Sequence, residues 1–173
     1  MISNKLQDAI NAQINAEFWS AYLYLSMSMH FEHEGHAGIA NWFRIQFREE
    51  QAHAEIFMNY LNSRGGQVIL APIAEVPTKW ETPLAAFANT LEHEEKVTSL
   101  INNLYALAVE EKDYATCSKL DWFITEQVEE EETARGLIDQ LKLIGDNGLA
   151  LYTFNQELAT RTYVVPAPLA TTK

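Results

Sequence analysis

Four long stretches of the chain carry one set of side chains at alternating spacings of three and four residues, which is the repeat of a single α-helical face. The positions are Ile10, Ile14, Glu17, Ala21, Tyr24, Ser28 and Phe31; Ile39, Phe43, Gln46, Glu50, His53, Phe57 and Tyr60; Leu84, Phe87, Leu91, Glu94, Thr98, Ile101, Tyr105 and Ala108; and Leu120, Phe123, Gln127, Glu130, Ala134, Leu137, Leu141 and Ile144. Most of these side chains are apolar. Four such faces bury one another by packing side by side, so the spacing predicts an all-α four-helix bundle.

The connections between the stretches define the topology. We expect helices over about residues 5–33, 39–63, 83–111 and 114–144, then a short fifth helix over 149–160 and a tail over 161–173. The links before the second and fourth helices are short, which makes each pair antiparallel. The segment over 65–82 is far too long for a tight turn and can run the length of the bundle as one long crossover. A length of 173 residues, of which 47% are hydrophobic, fits a single domain over residues 1–173.

Composition excludes several classes of partner. The formal net charge is -12, whereas nucleic acids and anionic membranes are bound by clustered positive charge. Cys117 is the only cysteine, so neither an internal disulfide nor a four-thiolate metal site can form. The longest mainly apolar run, 18–31, falls short of the roughly 20 residues that a membrane span needs. We therefore expect a cytoplasmic protein with no nucleic-acid or membrane partner, whose charge suits a cation.

Each of the four helical faces becomes polar near its middle. The polar side chains there are Glu17, Glu50, His53, Glu94, Gln127 and Glu130. Glu17 precedes Glu50 and His53 by 33 and 36 residues, and Glu94 precedes Gln127 and Glu130 by the same intervals. In an antiparallel hairpin, residues at one height have a constant sum of residue numbers, which places these side chains at one level of the bundle.

Four carboxylates in a helical core need compensating charge, because each buried ion costs several kcal/mol. No lysine or arginine falls on the listed face positions. Two divalent cations would supply the missing positive charge. Carboxylates with one imidazole and no thiolate suit iron, manganese or zinc, and this ligand pattern is that of dinuclear carboxylate bundles. The sequence therefore predicts a dinuclear metal site.

At these residues the sequence resembles the ferritin family, specifically the bacterial non-heme ferritins, over about residues 4–160. The resemblance implies a ferroxidase that oxidises Fe(II) to Fe(III) with O2 or hydrogen peroxide at a di-iron site within each subunit. It also implies that the product is stored as a ferric mineral inside a hollow shell of 24 identical subunits in the cytoplasm.

The resemblance also assigns roles to individual residues. It implies that Glu17, Glu50 and His53 hold the first iron, that Glu50 bridges to a second iron held by Glu94 and Glu130, and that Gln127 lies beside it. A third iron position in the bacterial group corresponds to Glu49, Glu126 and Glu129. From the residues alone, Glu126 and Glu129 belong to an acidic run that could equally be a solvated face.

Tyr24 lies on the same face as Glu17, seven residues later, where it could donate a hydrogen bond or an electron to the site. A tyrosine that only packs in the core is the competing interpretation. The family has an equivalent tyrosine beside its site. His30, His33 and His36 could bind a metal or be ordinary surface histidines.

Other families of similar architecture differ at identifiable residues. Bacterioferritins repeat the E-x-x-H pattern in the fourth helix and use a methionine before the second-helix histidine as a heme ligand. This chain has Gln127 and Glu130 in the fourth helix and Ala52 before His53, so we expect no heme. The single Cys117 excludes the four-cysteine module of rubrerythrins. A di-iron oxygenase or peroxidase with an organic or peroxide substrate stays open, whereas a purely structural or signalling bundle leaves the buried acids unexplained.

Overall fold

A computed structural model describes residues 2–170, and every regular element in that range is a helix. The helices are α1 (Asn4–His33), α2 (Ala37–Ser63), α3 (Pro83–Glu110), α4 (Tyr114–Ile144), α5 (Gly148–Leu158) and α6 (Ala167–Ala170). α1 packs against α2 and α3 against α4, and α1 also contacts α3. The predicted all-α bundle with one long crossover and a short additional helix is confirmed. Across residues 2–170 no helix combines the length and hydrophobicity needed to span a bilayer.

The helix ends differ slightly from the expected ones. α2 begins at Ala37 rather than 39, and α5 runs from Gly148 to Leu158 rather than over 149–160. The expected tail contains the short helix α6, and its last part, residues 171–173, lies outside the described range.

Side-chain oxygens cap four of the helices at their first turns. Ser3 accepts from the Leu6 amide at 3.2 Å, Thr82 accepts from the Ala85 amide at 3.0 Å, and Asp113 accepts from the Thr116 amide at 3.0 Å. Asn147 caps α5 in the same way. These bonds satisfy amides that have no partner inside their own helix, which is why the chain starts helices at these residues.

Side chains on one face of α1 hold the crossover in an extended path along the bundle. Backbone groups of the crossover bond to side chains of α1 from Gln7 near its start to His30 near its end. The intervening partners in α1 are Asn11, Asn15, Trp19 and Ser26. An irregular segment has no helical partners for its amides and carbonyls, so this row of contacts supplies them. One of the three clustered histidines, His30, therefore has a structural contact, with the backbone oxygen of Trp80 at 2.9 Å.

The buried face of α3 is rotated from the face that the sequence pattern predicted. Leu84 is exposed and Leu91, Thr98 and Tyr105 are only partly buried. The buried positions are Ala86, Phe87, Thr90, His93, Glu94, Val97, Ile101, Leu104 and Ala108. The prediction for this helix is therefore confirmed only at Phe87, Glu94, Ile101 and Ala108. Several of the other buried side chains are small or polar and carry little weight in a search for apolar periodicity.

The apolar core is divided into two clusters. One contains Phe31, Phe43 and Phe87 and extends to α5, and the other contains Ile10, Phe57 and Phe123. Aromatic stacking contributes to both, with ring centroids 5.0 Å apart for Phe43 and Phe87 and 4.1 Å apart for Phe57 and Phe123. The polar side chains described below lie between the two clusters, so both ends of the bundle hold them in place.

α5 docks on the first turn of α2, which has no capping side chain of its own. Asn155 of α5 accepts hydrogen bonds from the amides of Gly38 and Ile39 at 2.9 and 3.0 Å. A Cβ atom on Gly38 would lie 1.6 Å from the backbone oxygen of Asn155, so only glycine permits this approach. The contact is a cap supplied by another helix.

We expect Gly38→Ala to destabilise the protein by about 2 kcal/mol, because α5 must move away from α2 and leave two amides unpaired. Gly136→Ala is the matched control: Gly136 is exposed within α4 and its Cβ would meet nothing within 4 Å. That change should stabilise the helix by up to about 1 kcal/mol. Thermal unfolding of both variants checks the pair, and equal effects would contradict the docking account.

Candidate metal centre

All four long helices contribute to a buried polar layer, which we define as Glu17, Glu50, His53, Glu94, Gln127 and Glu130. Each of these side chains is at most 9% exposed. Glu17 comes from α1, Glu50 and His53 from α2, Glu94 from α3, and the other two from α4. The structure therefore brings together the six polar residues that the sequence placed at one level.

Glu17, Glu50 and His53 form the tightest part of the polar layer. One ligand atom from each comes within 4.8 Å of the other two, and no other trio of His, Cys, Asp or Glu among residues 2–170 does so. His53 Nδ1 lies 3.4 Å from Glu50 Oε2. Glu17 Oε2 and His53 Nε2 are buried without a hydrogen-bond partner. Unpaired buried polar atoms of this kind are costly, which indicates that a ligand completes the group.

Glu94 accepts hydrogen bonds from two side chains. The Tyr24 hydroxyl donates to Oε1 of Glu94, and Gln127 Nε2 donates to Oε2 at 3.1 Å. Tyr24 is fully buried and lies against Phe43 of the neighbouring apolar cluster. The structure therefore places Tyr24 in contact with the polar layer as well as in the core.

Two further glutamines hold two of the other three carboxylates of the layer. Gln13 Nε2 donates to Glu17 Oε1 at 2.8 Å, and Gln46 Nε2 donates to Glu130 Oε2 at 2.9 Å. These amides orient the carboxylates without adding positive charge. Glutamine in this role keeps the layer negative, whereas arginine or lysine would neutralise it.

The electrostatics of the layer favour a cation. No lysine or arginine within residues 2–170 is buried. Burial raises the pKa of Glu94 to about 7. Burial and the nearby Glu94 carboxylate raise the pKa of Glu130 to about 8. Burial also raises the pKa of Glu17, and burial with the neighbouring carboxylates raises the pKa of Glu50 well above 4.5. Divalent cations would supply the positive charge that balances these four acids in their ionised form.

The donor set fits such an ion. Carboxylate oxygens with a single imidazole nitrogen and no thiolate are typical of iron, manganese or zinc sites. Glu17, Glu50 and His53 could hold one ion, and Glu94 and Glu130 are available to a second. The four carboxylates lie on four separate helices and three of them accept hydrogen bonds from buried side chains, so the shape of the site does not depend on a loop.

The three residues of the expected third position do not form one group in the structure. Glu49 is ion-paired with Arg161, with Nη2 and Oε2 2.6 Å apart. Glu126 Oε1 lies 3.9 Å from His53 Nε2, and its side chain is 26% exposed. Glu129 is exposed. The sequence prediction for this position therefore stays a prediction.

Sequence reasoning missed several residues around the layer. His93 is buried with Nε2 2.8 Å from Ser20 Oγ, and burial lowers its pKa to about 4. The predicted face of α3 did not include this histidine. Arg161 lies in the tail, where no periodicity links it to α2. Gln13 precedes Glu17 by four residues on the same helical face, a spacing that could have pointed to their contact.

These raised pKa values predict how pH affects the metal-free protein. Between the ordinary pKa of 4.5 and the folded values, the folded chain binds more protons than the unfolded chain. Raising the pH through this window therefore lowers stability. Between about pH 5 and pH 8.5 we expect the free energy of unfolding of the wild-type protein to fall. The fall should exceed that of a Glu94→Gln/Glu130→Gln variant by at least about 2 kcal/mol.

Glu95→Gln/Glu132→Gln is the matched control, because both of these acids are exposed on the same two helices. Thermal unfolding of the metal-free proteins across this pH range gives the comparison. Identical pH profiles for the two double variants would show that the buried acids do not carry the effect.

Comparison with known proteins gives a consistent assignment. A family model described as a ferritin-like domain matches residues 7–144. The bacterial non-heme ferritin of Bacteroides fragilis (strain 638R) is 50% identical over 149 residues, covering 86% of this chain and 94% of that protein. The bacterial non-heme ferritin of Staphylococcus aureus (strain MRSA252) is 38% identical over 163 residues, covering 94% and 98%.

Solved structures agree. An engineered closed form of the Archaeoglobus fulgidus ferritin superimposes with a TM-score of 0.94 at 44% identity, covering 95% of this chain and all of that one. The open pore ferritin of the same archaeon gives a TM-score of 0.93 at 45% identity, covering 94% and 100%. With its polar layer, its bundle and these similarities, the chain belongs to the ferritin family and is similar to the bacterial non-heme ferritins.

Proposed function

We propose that this protein is an iron-storage ferroxidase that oxidises Fe(II) to Fe(III) at a di-iron site within each chain. The observation that carries the proposal is the polar layer: four buried glutamates and a histidine face one another without a buried lysine or arginine in residues 2–170. Membership of the ferritin family supports the choice of iron over other divalent ions.

In this proposal Glu17, Glu50 and His53 bind the first iron. Glu50 also bridges to the second iron, which Glu94 and Glu130 hold with Gln127 beside it. The unpaired Glu17 Oε2 and the His53 Nδ1 atom, 3.4 Å from Glu50 Oε2, support the first assignment. Burial, followed by the charges of Glu94, Glu17 and Glu130, raises the pKa of Glu50. This central place among the other carboxylates supports the bridging role.

The carboxylates favour oxidation because they stabilise Fe(III), a harder ion than Fe(II). Two Fe(II) ions together supply the two electrons that reduce O2 to hydrogen peroxide, or hydrogen peroxide to water. In this proposal Tyr24 steadies Glu94 and can also donate an electron, and its hydrogen bond to Glu94 supports both roles. Glu17, Glu50, His53, Glu94 and Glu130 act as ligands rather than as acid–base groups.

We further propose that the ferric product is stored as a mineral inside a shell of 24 identical chains in the cytoplasm. Similarity to ferritins over nearly the whole chain supports this assembly. The acidic balance of the chain suits the collection of iron. A third iron position at Glu49, Glu126 and Glu129 is part of the proposal, whereas heme is not, because Ala52 precedes His53.

An oxygenase or peroxidase with an organic substrate has less support. The open clefts along α5 and along the crossover are lined by none of the residues of the polar layer. An organic substrate in one of these clefts would not reach the candidate iron ligands. Iron storage needs only that small ions and the oxidant reach the layer.

Replacing the proposed second-iron ligands should slow oxidation. We expect Glu94→Ala/Glu130→Ala to reduce the initial rate of Fe(II) oxidation at least tenfold, roughly the loss that follows removal of ligand support at metal sites. Stopped-flow absorbance of the ferric product measures the rate. Glu95→Ala/Glu132→Ala, which removes two exposed acids from the same helices, should keep the fast phase. Survival of the fast phase in the first variant would refute the ligand assignment.

Storage itself is tested by aerobic Fe(II) loading followed by size-exclusion chromatography, with protein and iron measured in one peak. A shell of 24 chains of 19.7 kDa elutes near 24 × 19.7 kDa, about 470 kDa. We expect that peak to hold many more irons than the two or three binding positions per chain. A small species with about two irons per chain would agree with the proposed metal site but contradict storage. That result would favour an oxygenase or peroxidase.

A further inference from the structure

The side chain of Arg161 joins the segment after α5 to the edge of the polar layer. Its Nη2 donates to Glu49 Oε2 and to Gln46 Oε1, each at 2.6 Å. Its Nη1 donates to the backbone oxygen of Trp42 at 3.2 Å, and its guanidinium lies 4.7 Å from the centre of the Trp42 ring. Three partners on α2 therefore fix the position of this one cation.

Asn41 holds the same segment in place through the backbone. Its Nδ2 donates to the oxygens of Leu158 and Arg161 at 3.1 and 3.0 Å. The side chains of Arg161 and Glu49 are 25% and 18% exposed, so their ion pair is only partly screened by solvent. A pair of this kind is stronger than an exposed one and holds Glu49 in a defined orientation.

The ion pair affects Glu49 more directly than it affects Glu50. Glu49 and Glu50 are consecutive in α2, but Glu50 lies inside the polar layer while Glu49 lies at its edge beside Arg161. A metal ion on Glu49 would share that carboxylate with the guanidinium and lie within a few ångströms of its positive charge. Repulsion between like charges at such a distance opposes binding.

We propose that Arg161 is a positioning residue that competes with a metal ion for Glu49 and so controls filling of the third position. The inference rests on the proposed di-iron function and adds a residue that sets the number of ions held. While Arg161 pairs with Glu49, the site takes two ions. A third ion binds only after the guanidinium leaves that carboxylate.

The same contact also orients the second-iron site. Because Gln46 Oε1 accepts from Arg161, its Nε2 is turned toward Glu130, to which it donates at 2.9 Å. Release of Arg161 would free this amide to rotate. Filling of the third position is thereby coupled to the orientation of a proposed ligand of the second iron.

Zn²⁺ titration of the metal-free protein by calorimetry tests the proposal without relying on activity. We expect Arg161→Gln to tighten the third binding step about tenfold or more, the change expected when a charge-assisted pair no longer competes. The two tighter steps should change much less. Arg48→Gln is the matched control: it removes the same charge from the residue before Glu49, where the guanidinium packs on the Tyr163 ring.

A double variant separates contact from general charge effects. In a Glu49→Gln background, Arg161→Gln should leave the third step unchanged, because the competed carboxylate is gone. An unchanged third step in the single Arg161→Gln variant overturns the proposal, and so does an equal gain from Arg48→Gln or a gain that persists in the Glu49→Gln background. Loss of the two tight steps in the wild-type protein would instead reject the proposed di-iron function.

If Arg161→Gln does not fold, a crystal structure of the wild-type protein with Zn²⁺ provides the test. Where Zn²⁺ fills the position beside Glu49, the guanidinium should have moved away from that carboxylate. A chain in which Zn²⁺ contacts Glu49 at full occupancy while the Arg161 guanidinium still contacts the same carboxylate would overturn the proposal.

Discussion

The burial of four glutamates at one level of the bundle is the constraint on which the rest of the structure depends. Uncompensated carboxylates of this kind cost several kcal/mol each, yet residues 2–170 bring no buried lysine or arginine to them. Two apolar clusters enclose the layer from both ends, so its side chains cannot turn to solvent. The stability of the fold and its affinity for a cation are therefore two consequences of one arrangement.

Buried glutamines allow the layer to exist before a cation binds. Gln13, Gln46 and Gln127 each donate to one glutamate, and Glu17 Oε2 stays without a hydrogen-bond partner. An amide supports a carboxylate without cancelling its charge, so the oriented ligands keep their attraction for a metal ion. Arg161 is different, since it neutralises Glu49 at the edge of the layer. Three of the inner ligands therefore have amide partners, whereas Glu49 of the third position has a guanidinium partner.

Much of this arrangement could be predicted from sequence because it is periodic. The four glutamates lie on regular helical faces, and the intervals of 33 residues from Glu17 to Glu50 and of 36 from Glu94 to Glu130 place them at one height. The phase of α3 could not be read in the same way, since Thr90 and His93 are polar yet buried. The contacts of Arg161 could not be predicted either, because they depend on how the segment after α5 folds back over α2.

Anomalous diffraction from crystals prepared with Fe(II) under anaerobic conditions tests the central claim most directly. We expect two strong iron peaks in the polar layer of each chain, one touching Glu17 and His53, the other touching Glu94 and Glu130, with Glu50 between them. Iron peaks confined to the outer surface, with the four buried glutamates free of metal, would contradict it.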